Sequence, residues 1–118
     1  MLCLRADVDQ KKELVMLSIR LDSKREWWVS GKVFERLVQA ALSNRMPPHL
    51  EKWRHVADAN GGFDLSEIDP AEAGELLANL RSTAAQEVQR LKDADERTDN
   101  GSYRISLQKF LTLEKSGD

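Results

Sequence analysis

The chain has 118 residues, 41 % of them hydrophobic and 32 % charged, with a formal net charge of −2. That length suits one domain able to bury a core without metal or disulfides, and the balance of apolar and charged residues excludes wholesale disorder. No apolar run approaches the roughly 20 residues a bilayer-crossing helix needs, the first residues turn polar too soon for a signal-peptide core, and the single cysteine, Cys3, excludes an internal disulfide and any multi-cysteine zinc site. The expected setting is cytoplasmic, with no membrane association and no cofactor.

Leu2, Leu4, Ala6 and Val8 alternate with Cys3, Arg5 and Asp7, a period of two that predicts a strand. Val15, Leu17, Ile19 and Leu21 form a second alternating set after a polar break. The connection is far too short for a parallel crossover, so the two strands are expected to form an antiparallel hairpin. Beyond Asp22–Glu26, a second polar break, Trp27-Trp28-Val29 predicts a short third strand.

Ser30 is placed to cap a helix running from Lys32 to about Ser43, in which Val33, Phe34, Leu37, Val38, Ala41 and Leu42 recur at helical spacing. Pro47 and Pro48 end it, because a residue before proline avoids helical angles. A shorter helix from about Pro48 to Ala59 collects Leu50, Trp53, Val56 and Ala57 on one side, and Asn60-Gly61-Gly62 stops it. Phe63, Leu65 and Ile68 link it to the longest helix and are expected to plug that helix's base.

The longest helix starts at an unusually clear signal. Asp69 is the N-cap, Pro70 takes the first helical position, and Glu72 falls three residues after the cap, at the positive end of the helix dipole. Ala73, Leu77, Leu80, Ala84, Val88 and Leu91, widened by Leu76 and Ala85, predict a face buried along its length. Continued to Arg97, this helix would outrun a domain of this size, so its far end is expected either to fray after Lys92 or to lean on a second copy in a homodimer. In the last segment Tyr103, Ile105, Leu107, Leu111 and Leu113 share a period-two face, which predicts a C-terminal strand joining the sheet. Leu107, Phe110, Leu111 and Glu114 would line a helix instead. The expected fold is α+β, a small antiparallel sheet of the N-terminal hairpin and the C-terminal strand packed on about three helices.

Familiar catalytic chemistry is missing from the sequence. His49 and His55, six apart, do not share a helix face as paired metal ligands would. Gly31-Lys32-Val33 lacks both the first glycine and the magnesium-holding hydroxyl of a phosphate-binding loop. Val56 to Glu67 resembles an EF-hand calcium loop, with Asp58, Asn60, Asp64 and Glu67 as oxygen donors and Gly61 at the sharp turn. The first carboxylate is replaced by Val56, however, and Pro70 interrupts the exiting helix, so the stretch is read as a helix C-cap followed by a polar turn.

The remaining candidate is a surface. Trp27 and Trp28 stand among Lys24, Arg25 and Lys32, and since neighbours on a strand face opposite sides, one tryptophan is expected in the core and the other at a rim. An exposed tryptophan anchors protein partners, whereas aromatics interleaved with basic residues can hold a single-stranded nucleic acid. The leading expectation is a small non-enzymatic protein-interaction module of the toxin-neutralising or regulatory-adaptor type. The alternatives are single-strand binding at that basic and aromatic edge and an enzyme with an unfamiliar site.

Overall fold

A computed structural model describes residues 16–115. The strand expected over residues 2–8, and hence its hairpin, lies outside the described residues. The alternating stretch beginning at Met16 forms β1 (Met16–Arg20), and β2 (Glu26–Ser30) pairs with it antiparallel, Leu17 opposite Val29 and Ile19 opposite Trp27. Asp22 closes the turn between them: its carboxylate accepts from the backbone N–H of Lys24 and of Arg25 at 2.8 Å each. Leu17, Ile19, Trp27 and Val29 are buried, while Met16, Ser18, Arg20, Glu26 and Trp28 point to the opposite face. The sheet thus has one side packed on helices and one side bare of described structure.

The strand on the other edge of β1 is not the C-terminal one expected. β3 (Gly62–Asp64) pairs parallel with the other edge of β1, giving the order β2-β1-β3 and a mixed rather than purely antiparallel sheet. Its parallel direction follows from its position in the chain, because two helices intervene and supply the crossover that parallel pairing requires. The approach is so close that a Cβ on Gly62 would lie 1.9 Å from the carbonyl oxygen of Ser18, at a backbone φ of +133°.

The first two helices follow their sequence signals. Ser30 Oγ accepts from Val33 N–H at 3.2 Å and starts α1 (Gly31–Ser43), which buries Phe34, Leu37, Val38 and Ala41. A turn of 3-10 helix, Pro48–Glu51, leads into α2 (Lys52–Asn60), which ends at Gly61 in the left-handed conformation. Phe63 meets the rings of Phe34 and Trp53, and Leu65 is buried beside them.

Asp69 caps α3 (Pro70–Arg90) through its carboxylate, which accepts from Glu72 N–H at 3.2 Å. Leu76, Leu80, Thr83 and Ala84 are its buried residues, with Ala73, Leu77 and Val88 half-buried and Ala85 exposed, so the stripe is centred one residue from where the spacing put it. The helix stops at Arg90. Its 21 residues span about 32 Å, against 48 Å for the longest extent of the molecule, and the continuation to Arg97 does not occur.

The C-terminal strand is corrected to a helix, α4 (Asp99–Lys115). Thr98 starts it, its hydroxyl accepting from Gly101 N–H at 3.0 Å, and Asp99 sits favourably in the first turn. Tyr103, Leu107 and Phe110 are fully buried, at spacings of four and three that place them on one helical face. α4 lies antiparallel on α3, with Tyr103 opposite Glu87 and Arg81 in a 2.8 Å ion pair with Glu114. Trp27 packs between α1 and α4, 4.7 Å from the ring centroid of Phe110 and 6.4 Å from that of Phe34.

Candidate partner-binding surface

Strand alternation separates the two tryptophans completely. Trp27 is 1 % exposed and donates its indole N–H to the carbonyl of Ser106 on α4, whereas Trp28 is 57 % exposed on the opposite face of the sheet. Beside Trp28, between β2 and α4, runs a groove of about 530 Å³ lined by Glu26, Trp27, Trp28, Ile105, Gln108, Lys109, Thr112 and Leu113. The same helical periodicity of α4 that sends Tyr103 and Phe110 inward sends Ile105, Gln108 and Lys109 toward this groove. Met16, 48 % exposed, lies diagonally across from Trp28 on the neighbouring strand.

The basic residues grouped with the tryptophans divide in the same way. Arg25 is half-buried and committed inside the molecule. Its guanidinium donates to Asp22 at 2.8 Å and to the carbonyls of Leu113 and Glu114 at 3.0 and 2.9 Å, capping the C-terminal end of α4. Lys24, on the hairpin turn, and Lys32, in the first turn of α1, are exposed and flank the two ends of β2. Lys109 joins them on the groove's helical wall. In the sequence its one signal is the polar interruption it makes between Leu107 and Leu111.

Two smaller clefts lie elsewhere among the described residues. One, of about 150 Å³, is floored by Leu17 and Phe34 and rimmed by Glu35, Arg54, His55 and Asp58. The other, of about 120 Å³, lies between the starts of α1 and α4 and is lined by Ser30, Lys32, Val33, Arg36, Asp99, Ser102 and Tyr103. There Arg36 stacks 4.0 Å over the Tyr103 ring and donates to Asn100 Oδ1 at 2.7 Å. Burial first, and then the Glu87 carboxylate it faces, push the Tyr103 phenol well above its ordinary value, while Glu87 is itself held low, first by Arg90 and then by the Tyr103 hydroxyl. This cluster ties α1, α3 and α4 together and is internally satisfied.

The calcium-loop resemblance does not carry into geometry. Asp58 and Asn60 lie on the last turn of α2, and the Asp64 carboxylate accepts from both the N–H and the hydroxyl of Ser66, capping a short 3-10 helix, Leu65–Glu67. Among the described residues no group of three or more His, Cys, Asp or Glu side chains is gathered where it could hold a metal ion. His49 is paired with Glu75 at 3.0 Å on the surface, and His55 is exposed. Among the described residues no helix is long and apolar enough to cross a membrane.

Comparisons with known protein families, curated proteins and solved structures found no match to this chain.

Proposed function

We propose that the chain is a small non-enzymatic protein-protein interaction module, of the toxin-neutralising or regulatory-adaptor type, and that Trp28 is its anchor. The observation that carries the reading is the 57 % exposure of Trp28 beside an open groove, in a molecule whose other large rings are half-buried or buried. Indole is large, rigid and low in conformational entropy, so its burial against a partner contributes much and costs little ordering.

The test is affinity capture from an extract of the native host on wild-type protein, on Trp28→Ala and on a distant surface control, Lys92→Ala. A protein retained by the wild type and the control but not by Trp28→Ala is expected. Its purified complex should weaken about 30-fold on that substitution, as for an interface hot spot. Retention of the same proteins by all three baits would overturn the reading.

Single-strand nucleic-acid binding at this edge is the second reading, supported by the exposed Lys109 on the groove wall and by the exposed Lys24 and Lys32 beyond the two ends of β2. Against it, stacking of successive bases needs successive aromatic platforms, and burial of Trp27 leaves one. Titration with oligothymidylate at low salt separates the two, since phosphate contacts give affinity that falls steeply with added salt.

A further inference from the structure

The backbone of β2 can be accounted for separately from its side chains. Ser18 N–H donates to the Gly61 carbonyl at 2.9 Å, so the peptide groups of Ser18 and Arg20 turn toward β3 and those of Leu17 and Ile19 turn toward β2. With Leu17 opposite Val29 and Ile19 opposite Trp27, the ladder uses the N–H and C=O of Trp27 and Val29. Those of Glu26 and Trp28 therefore face away from the sheet, and among the described residues β2 pairs with β1 alone. An unused strand edge is a template for one more strand. Here it runs alongside the groove, with the Trp28 peptide at its midpoint.

Lysines outnumber carboxylates around that edge: Glu26 is the acidic residue lining the groove, and Asp99 lines the cleft beside Lys32. Glu26, the groove's carboxylate, accepts from Ser18 Oγ and lies 3.9 Å from Arg20 Nε, so it is already answered from β1. Lys24 at one end of the strand, Lys32 just past the other and Lys109 on the helical wall are exposed and have no carboxylate partner among the described residues.

We infer that the partner docks as an extended acidic segment that adds antiparallel or parallel to the free edge of β2, its apolar side chains against Trp28 and Ile105 and its carboxylates toward Lys24, Lys32 and Lys109. This rests on the protein-binding reading and names the partner's chemistry. Nucleic acid makes no use of an exposed strand edge. A second copy paired two-fold about Trp28 would bring the lysines at the two ends of β2 face to face, a like-charge opposition that disfavours that register.

The test uses the full chain as bait for a library of random linear peptides displayed on phage, counter-selected on Trp28→Ala. Enriched peptides are expected to alternate apolar with acidic residues. A synthetic copy should slow exchange of the Trp28 amide, lose binding when its backbone is N-methylated at alternate positions, and bind up to about fivefold more weakly to Lys109→Glu. All of these variants alter exposed side chains and keep the fold. Peptides with helical periodicity or basic character, affinity indifferent to N-methylation, preferential binding of oligothymidylate at the same face, or a self-associated protein whose Trp28 amide is already protected would each overturn the inference. A host protein captured through Trp28 but unaffected by competing N-methylatable peptide would overturn the strand-addition mode while leaving the interaction module in place.

Discussion

Two adjacent tryptophans with the same chemistry have opposite fates because a strand turns successive side chains to opposite faces. Trp27 fills the space between Phe34 and Phe110 and satisfies its N–H on Ser106, so Trp27→Ala removes buried surface, aromatic contacts and a hydrogen-bonded partner at once. The expected loss is about 3–5 kcal/mol of unfolding free energy. Trp28→Ala should change stability by no more than about 0.5 kcal/mol, since its ring meets mostly solvent. Denaturant unfolding of the two variants reads the difference, and comparable losses would contradict the assignment of a core and a surface tryptophan. Arg25 teaches the same lesson for charge. The sequence grouped it with Lys24 and Lys32 because they are near in the chain, yet its planar fork matches two carbonyls at the end of α4 while the lysines keep their ammonium groups in water.

Elements with local signals were legible. α1 and α3 each begin at a capping side chain that the sequence identified, Ser30 and Asp69, because a cap needs only residues within three positions of it. β3 was hidden because three residues carry no periodicity, and its pairing with β1 is set by contacts more than forty residues apart. α4 was misread because Ile105 and Leu113 completed an apparent alternation. Those two residues are only half-buried and line the groove, while the fully buried Tyr103, Leu107 and Phe110 follow helical spacing against α3. The candidate surface was legible as far as the tryptophan pair; the groove was not, since its second wall is the helix mistaken for a strand. The junctions that fix these elements are testable at glycines. A Cβ at Gly62 would overlap the Ser18 carbonyl, and one at Gly101 would lie 1.8 Å from the Asp95 carbonyl oxygen where the chain turns into α4. Gly62→Ala and Gly101→Ala are each expected to destabilise by more than about 1 kcal/mol, against a smaller effect or a gain at the open helical position Gly74. Tm values for the three alanine variants check this, and equal effects at all three sites would contradict the close approaches.

At the scale of the molecule, the carboxylates held below their ordinary range sit where the chain changes direction. Asp22 is held low first by the N–H of Lys24 and then by the Arg25 guanidinium in the hairpin turn. Asp64 is held low first by the Ser66 hydroxyl after β3, Asp95 first by the Arg97 N–H between α3 and α4, and Glu87 first by Arg90 where α3 meets α4. In each case the folded chain binds a proton less readily than the unfolded chain, whose groups titrate near 3.8 for Asp and 4.5 for Glu. Their contribution is therefore complete above that range and is lost as pH falls below it, through the lower folded values. Tyr103, the only tyrosine, works in the opposite limb. Its folded phenol keeps a proton that the unfolded chain releases above pH 10.0, so its contribution is complete below that value and is lost as pH rises beyond it. Thermal unfolding across a pH series should show Tm falling on both sides of a central range, with the acid limb made shallower by Asp22→Asn, Asp64→Asn or Asp95→Asn. The near-ultraviolet absorbance of the phenolate isolates the alkaline limb. Tyr103 should ionise only beyond the usual tyrosine range and move back toward it in Glu87→Gln, which removes the facing charge but leaves the burial. Ordinary titration of that single phenol in the folded protein would mean that α4 does not pack on α3 as described, and the groove that α4 walls would go with it.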